Sequence, residues 1–109
     1  MGYLTYGNTA APIEVDDALL THLRLVIVTK LRRNESFPLT LPLRSGVAET
    51  LWLHASIPLR FAIEDEAAID RPLVVAMMNA ASSSGGLDVT REEFAASAVG
   101  ARTLHAMSA

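Results

Sequence analysis

The chain has 109 residues, of which 50% are hydrophobic and 19% are charged, and its net charge is −3. This length and composition suit one small domain with its own core, so we expect residues 1–109 to form a single domain. The sequence contains no cysteine, which excludes disulfides, cysteine-ligated metal centres and thiol nucleophiles. The start of the chain lacks the features of a signal peptide, and no apolar run could span a membrane, so we expect a cytoplasmic protein without membrane contact.

The first predicted elements are two strands and a long helix. Residues 3–6 and 12–15 favour strands, with a turn after the first of them. Residues 17–33 carry leucine and isoleucine at spacings of three and four, which is typical of an amphipathic helix. Asp16 and Asp17 suit its start, because a carboxylate accepts hydrogen bonds from the free N–H groups of a first helical turn.

Leu25 and Val28 lie away from the main apolar stripe of this predicted helix. One interpretation is a helix buried on both faces within the domain. A second is a helix–helix contact in a homodimer that uses these two residues. A third makes residues 25–28 a strand, because valine and isoleucine favour sheets.

The middle of the chain alternates between apolar and polar residues, which predicts strands over 36–43, 49–54 and 57–63. Pro38 and Pro42 cannot donate ladder hydrogen bonds, so we expect the first of these strands at a sheet edge or only partly paired. A tight connection near Ala55 and Ser56 predicts that the other two strands pair as an antiparallel hairpin.

The last third of the chain predicts two further helices around a short strand. Asp70, followed by Arg71 and Pro72, suits a helix start, and the run from Ser82 to Gly86 suits its end. Leu87 and Val89 indicate a short strand, and a capping box at 90–93 predicts a C-terminal helix over 91–106. The order β-β-α-β-β-β-α-β-α predicts an α+β fold, with an antiparallel sheet of about five to six strands and two to three helices.

Two groups of residues could bind a ligand or a partner. Arg32, Arg33 and Glu35 form the densest charged segment, and arginine pairs can clamp phosphate, although cations at a helix end are explained by the helix dipole alone. Trp52 and His54, with Arg60 across the predicted hairpin, could form an aromatic and cationic surface that stacks a base or holds a protein. The ordinary alternative, which we favour, buries Trp52 beneath a helix.

Catalytic and metal-binding patterns are weak. The three histidines have no ligand spacing, and a hydrogen-bonded or exposed histidine explains each of them. Asp65, Glu66 and Asp70 could bind Mg²⁺, but a solvated acidic loop before a helix is the simpler interpretation. We therefore predict no catalytic residue, no metal and no cofactor.

Four segments carry a resemblance to a known family: GYLTYG at 2–7, KLRRNESF at 30–37, LWLHASIPLRF at 51–61 and SGGL at 84–87. On these segments the chain resembles a family of small uncharacterised actinobacterial proteins of about 100 residues, over residues 2–88. Segment 91–109 has no counterpart in that family. Its members are often labelled ATP-dependent DNA ligases, yet the chain lacks the Lys-x-Asp-Gly motif that accepts AMP, so the resemblance implies at most an association with DNA ends.

The sequence therefore leaves the biochemical function unknown. Our first hypothesis is a non-enzymatic interaction or structural module, a homodimer that could also bind another protein. Our second is a DNA-associated accessory protein that uses the charged segment and the aromatic surface, although the net negative charge weighs against nucleic acid. A ligase or hydrolase has only the family label behind it.

Overall fold

A computed structural model describes residues 1–8 and 11–94 of the chain. It confirms the α+β class and the predicted order of elements. The elements are β1 (Gly2–Tyr6), β2 (Ile13–Val15), α1 (Asp17–Arg32), β3 (Phe37–Pro42), β4 (Ala48–Leu53), β5 (Leu59–Ala62), α2 (Arg71–Ala81) and β6 (Leu87–Asp88). Residues 92–94 are helical, and the rest of the predicted 91–106 helix lies outside the described residues.

The six strands form two small sheets. The first has the order β2-β1-β5 and is antiparallel throughout, and the second has the order β4-β3-β6. In the second sheet β3 pairs antiparallel with β4 and parallel with β6. Helix α1 contacts β1 and α2, and α2 contacts β3 and β6, so the helices join the two sheets.

One buried apolar cluster lies between these layers. It combines Leu4 of β1, Leu23 and Ile27 of α1, Leu39 of β3 and Met77 of α2, which are all fully buried. Burying each such side chain contributes roughly 1.5–3 kcal/mol to folding. The alternating and helical patterns of the sequence therefore do mark the core-facing residues.

Helix α1 begins and ends as its sequence predicts. The Asp16 carboxylate accepts the Leu19 backbone N–H at 3.3 Å, which caps the first turn. Asn34 follows the helix with φ 60°, a left-handed conformation that asparagine tolerates better than most residues. Residues 25–28 are helical, so the strand interpretation of this segment is wrong.

Strand β3 is the central strand of its sheet, so an edge position is wrong, whereas the alternative of partial pairing is confirmed on the side of β6. The prolines are tolerated because of their register. The Thr40 carbonyl accepts the Val89 N–H at 3.0 Å on the side of β6, and alternate residues of a strand direct their backbone groups to the same side. Pro38 and Pro42 thus lack donors only on that side, where β6 pairs with just two residues.

The predicted hairpin between β4 and β5 is also wrong, because these strands belong to different sheets. A turn closed by the Ile57 N–H and the His54 carbonyl at 3.1 Å carries the chain from one sheet to the other. The Tyr6 hydroxyl joins the sheets beside this turn. It donates to the Trp52 carbonyl and accepts the His54 N–H at 3.2 Å.

Helix α2 is capped by Asp70, whose carboxylate accepts the Leu73 N–H at 3.4 Å, with Pro72 in the first turn. No helix among the described residues is long and apolar enough to cross a membrane.

Candidate functional site

An apolar patch covers the outer side of α1 and the start of α2. It consists of four exposed side chains: Leu25 (41% exposed), Val28 (42%), Ile69 (47%) and Val75 (58%). They line two adjoining shallow hollows of about 530 and 390 Å³, which share Leu25 and Ile69. We call these four residues the α1 patch. Within residues 1–8 and 11–94 nothing covers them, so the described part of the chain gives no support to the interpretation of α1 as buried on both faces.

Three side chains of α1 hold segment 64–70 beside this patch. The Asp17 carboxylate accepts the backbone N–H groups of Glu64 at 3.3 Å and of Asp65 at 3.1 Å. The Thr21 hydroxyl accepts the Ala67 N–H at 3.2 Å. Arg24 adds an ion pair to Glu66. The acidic segment is therefore fixed along α1, and its end positions Ile69 in the patch.

His22 is a fourth α1 side chain that contacts segment 64–70, beside the polar row formed by Asp17, Thr21 and Arg24, and it is almost fully buried. Its Nδ1 lies 2.6 Å from the Ala18 carbonyl oxygen, and its Nε2 lies 2.9 Å from the Asp70 N–H. A carbonyl only accepts and an N–H only donates, so these two contacts match the tautomer in which Nδ1 donates and Nε2 accepts. His22 thereby links α1 to the cap of α2, a role that its isolated position in the sequence does not indicate.

The Asp17 carboxylate accepts three hydrogen bonds, from the Met1 amine and from the Glu64 and Asp65 N–H groups. Partial desolvation acts to raise its pKa, but hydrogen bonds from the Met1 amine and from the Glu64 and Asp65 N–H groups outweigh it. The pKa of Asp17 is therefore below its usual value.

A second, polar groove of about 580 Å³ lies where α1 and α2 both end. Its lining includes the predicted residues Arg33, Glu35 and Trp52, together with Lys30 and the serine run 82–84. The Trp52 side chain is 61% exposed, so our expectation that a helix covers it is wrong. The register explains this, because Trp52 pairs with Pro38 on the sheet face that points away from the core. The groove thus brings three of the predicted binding residues together.

Lys30 forms the floor of this polar groove, with only 6% of its surface exposed. Its Nζ lies 2.9 Å from the Glu35 carboxylate and donates to the Ser82 hydroxyl at 3.1 Å. The hydrogen bond from Lys30 holds the pKa of Glu35 below its usual value. A buried ammonium is costly without partners, so this network is what permits Lys30 to lie inside.

The remaining predicted binding residues lie elsewhere. Arg32 is exposed and follows Leu25 and Val28 on the outer face of α1. His54 accepts the Ser56 N–H on Nδ1 at 3.1 Å in the turn after β4. Arg60 pairs with Thr5 in the other sheet, so no hairpin places it opposite the tryptophan. Among the described residues, no cluster of histidine and acidic side chains could hold a metal ion.

The comparisons with known proteins give one match. A family model described as a domain of unknown function, DUF7882, matches residues 1–92. Neither a curated protein nor a solved structure matches the chain. The matched region includes both sheets, the two helices, the α1 patch and the polar groove, and it ends as the helical residues 92–94 begin. The chain therefore belongs to the DUF7882 family, whose function is unknown.

Proposed function

We propose that this protein is a non-enzymatic interaction module that forms a homodimer through the α1 patch. The observation that supports this most directly is the exposure of Leu25, Val28, Ile69 and Val75 on one continuous surface. Contiguous apolar surface of this kind is typical of interaction sites rather than of ordinary solvent-facing surface.

Charge complementarity favours a second copy as the partner. The acidic residues Glu64, Asp65 and Glu66 lie beside the first half of α1, and Arg32 lies at its end. In an antiparallel pair of helices centred between Leu25 and Val28, position 32 of one copy stands opposite position 21 of the other, because both are equally far from the centre.

Position 21 is where the acidic segment is attached, through the Thr21 hydroxyl and the Ala67 N–H. Each Arg32 would therefore face the acidic segment 64–66 of the other copy, twice in a symmetric dimer, and would share Glu66 with Arg24 of that copy. The helix dipoles also run in opposite directions in this arrangement, which favours it over a parallel pair.

The experiment is sedimentation equilibrium between about 10 and 500 μM, a range that reports micromolar dissociation constants. The variants are Val28→Asp in the patch and Val47→Asp, which changes another exposed valine outside it. We expect the wild-type protein and Val47→Asp to dimerise, and Val28→Asp to dimerise at least about tenfold more weakly. A wild-type protein that stays monomeric at every concentration contradicts the proposal, as does equal dimerisation of the two variants.

A second candidate function is binding of single-stranded nucleic acid in the polar groove. One observation favours it: Arg33 and Trp52 line the same groove, so a phosphate on the guanidinium and a base on the indole are compatible. The chain has one tryptophan, so its fluorescence reports on this groove alone. Titration with a short oligonucleotide should quench it in a salt-dependent manner, and Arg33→Ala should weaken binding while Arg44→Ala does not. Absence of quenching at low salt excludes this candidate.

A ligase reaction is not part of this proposal. Lys30 is the only lysine of the chain, and its ammonium is buried against Glu35 and Ser82 rather than presented to a nucleotide. Intact mass after incubation with ATP and Mg²⁺ tests this directly, because covalent transfer of AMP to Lys30 would appear as an adduct.

A further inference from the structure

Strand β4 has a free edge within the part of the chain that the structure describes. The order β4-β3-β6 places no other described strand on the outer side of β4. The Trp52 carbonyl and the His54 N–H point to that side, because both bond the Tyr6 hydroxyl of the other sheet. Alternate residues direct their backbone groups the same way, so the N–H and C=O groups of Ala48 and Thr50 also point outward. Tyr6 therefore covers one end of the edge and leaves the rest available for pairing.

A cleft of about 510 Å³ lies beside this edge, between β4, the β3–β4 turn and the first two strands. We call it the β4 cleft. Its lining is mainly apolar, and includes Tyr3, Ile13, Leu43 and Leu51. The carboxylate of Glu49 also lines it, and within the described chain no cation pairs with that group.

The other acid of the cleft, Glu14, already has a cationic partner, because the Arg44 guanidinium lies 3.7 Å from its carboxylate. The cleft therefore offers apolar contacts and one negative charge next to unpaired strand hydrogen-bonding groups. That combination matches an extended peptide with alternating apolar side chains, whose main chain pairs with the edge while its side chains enter the cleft.

We propose that the β4 cleft binds an extended segment of a partner protein as an added strand. Its main chain pairs with Ala48 and Thr50, its apolar side chains enter the cleft, and a basic side chain lies beside Glu49. A second copy of this chain fits less well, because pairing of two β4 edges would bring two Glu49 carboxylates together. The site is separate from the α1 patch and does not depend on dimerisation.

The experiment uses a dye-labelled, capped peptide of about seven residues that places valines and a central lysine on one face and threonines on the other. The decisive variant is Thr50→Pro. The Thr50 N–H points away from β3, so proline removes an edge donor without removing a bond to β3. Thr50→Val is the matched control, because it also loses the hydroxyl bond to Thr40 but keeps the N–H. Fluorescence anisotropy should show binding to the wild-type protein and Thr50→Val, and at least about tenfold weaker binding to Thr50→Pro.

Two further arms separate backbone pairing from other contacts. A peptide that is N-methylated on the amides facing β4 should not bind, and Glu49→Lys should weaken binding of the lysine peptide. Equal binding to both Thr50 variants overturns the proposal, and so does equal binding of the methylated peptide. No binding up to about 1 mM peptide also overturns it. Amide protection at Ala48 that grows with protein concentration without peptide would make a second copy the occupant and overturn it as well.

Discussion

His22 shows how far single residues can be understood from the sequence. The helical period places it among polar positions of α1, yet the structure buries it between the Ala18 carbonyl and the Asp70 N–H. The burial comes from segment 64–70, which is distant in sequence, and no local pattern predicts where such a segment lies. Residue type alone makes Arg33 and Trp52 candidates for binding, whereas their position in one groove depends on the end of α1 reaching the second sheet.

We predict that His22→Ala destabilises the fold. The substitution leaves the Asp70 N–H without its acceptor in a partly buried site, which costs about 1 kcal/mol of unfolding free energy. Chemical denaturation of the wild-type protein, His22→Ala and His54→Ala measures it. The exposed His54 variant should differ by no more than about 0.5 kcal/mol. Equal stabilities of the two histidine variants would show that the link between the helices carries no energy.

The Lys30–Glu35 pair predicts a pH dependence of stability. Lys30 holds the pKa of Glu35 below its usual value in the folded state, so the folded state binds this proton less readily than the unfolded state. The resulting stabilisation is present above the carboxyl pKa of the unfolded chain and is lost as the pH falls through the lower pKa of the folded state. Denaturation from about pH 7 to about pH 3 should show a smaller loss of stability for Glu35→Gln than for the wild-type protein. Parallel curves would contradict the coupling.

At the scale of elements, sequence patterns identify the strands and helices more reliably than their partners. The alternation of Phe37, Leu39 and Leu41 predicts both strand β3 and its buried face, and the structure confirms them. The same pattern does not show that β6 pairs beside it, because that strand is two residues long and arrives after two further strands and a helix. The expected hairpin after β4 is wrong for a related reason. The short connection suggests that β5 pairs with β4, but β5 pairs with β1, whose Tyr6 contacts the end of β4.

Gly86 sets the approach of β6 to β3. It has φ 74°, and a Cβ on it would overlap the ring and carbonyl oxygen of Pro38. We therefore expect Gly86→Ala to lower the unfolding free energy by about 3 kcal/mol, through backbone strain and the clash together. Gly46→Ala is the matched control, because Gly46 also has a positive φ of 91° but a Cβ added there would meet nothing within 4 Å. It should cost only about 1 kcal/mol. Equal losses of unfolding free energy in the two variants would show that the clash with Pro38 does not contribute to the cost of Gly86→Ala.

The antiparallel arrangement of α1 predicts a charge-reversal effect. Glu66→Arg alone and Arg32→Glu alone should each dimerise more weakly, because each homodimer would place like charges opposite one another twice. A mixture of the two variants restores opposite charges at both contacts, so the mixed dimer should regain affinity by at least about tenfold. Native mass spectrometry distinguishes the three species. Homodimers and mixed dimers in statistical proportion would exclude this register.

At the scale of the whole molecule, the apolar residues fall into two groups: those buried in the core and those exposed on the surface, where a partner could contact them. Leu25 and Val28 depart from the helical stripe, which suggested either burial within the chain or a contact between chains. The described part of the chain leaves both residues exposed and adds Ile69 and Val75 to the same surface. These two additions were not predictable, because they come from the connection before α2 and from its outer face, whose positions depend on the polar row along α1.

Isotope-filtered NOE spectroscopy on an equal mixture of labelled and unlabelled protein tests the central proposal most directly, because it records contacts between copies and no others. We predict intermolecular contacts between the methyl groups of Leu25, Val28, Ile69 and Val75, and none from Val47 in the β3–β4 turn. Intermolecular contacts that involve β4 instead of these methyl groups, or none at concentrations up to about 1 mM, would contradict it.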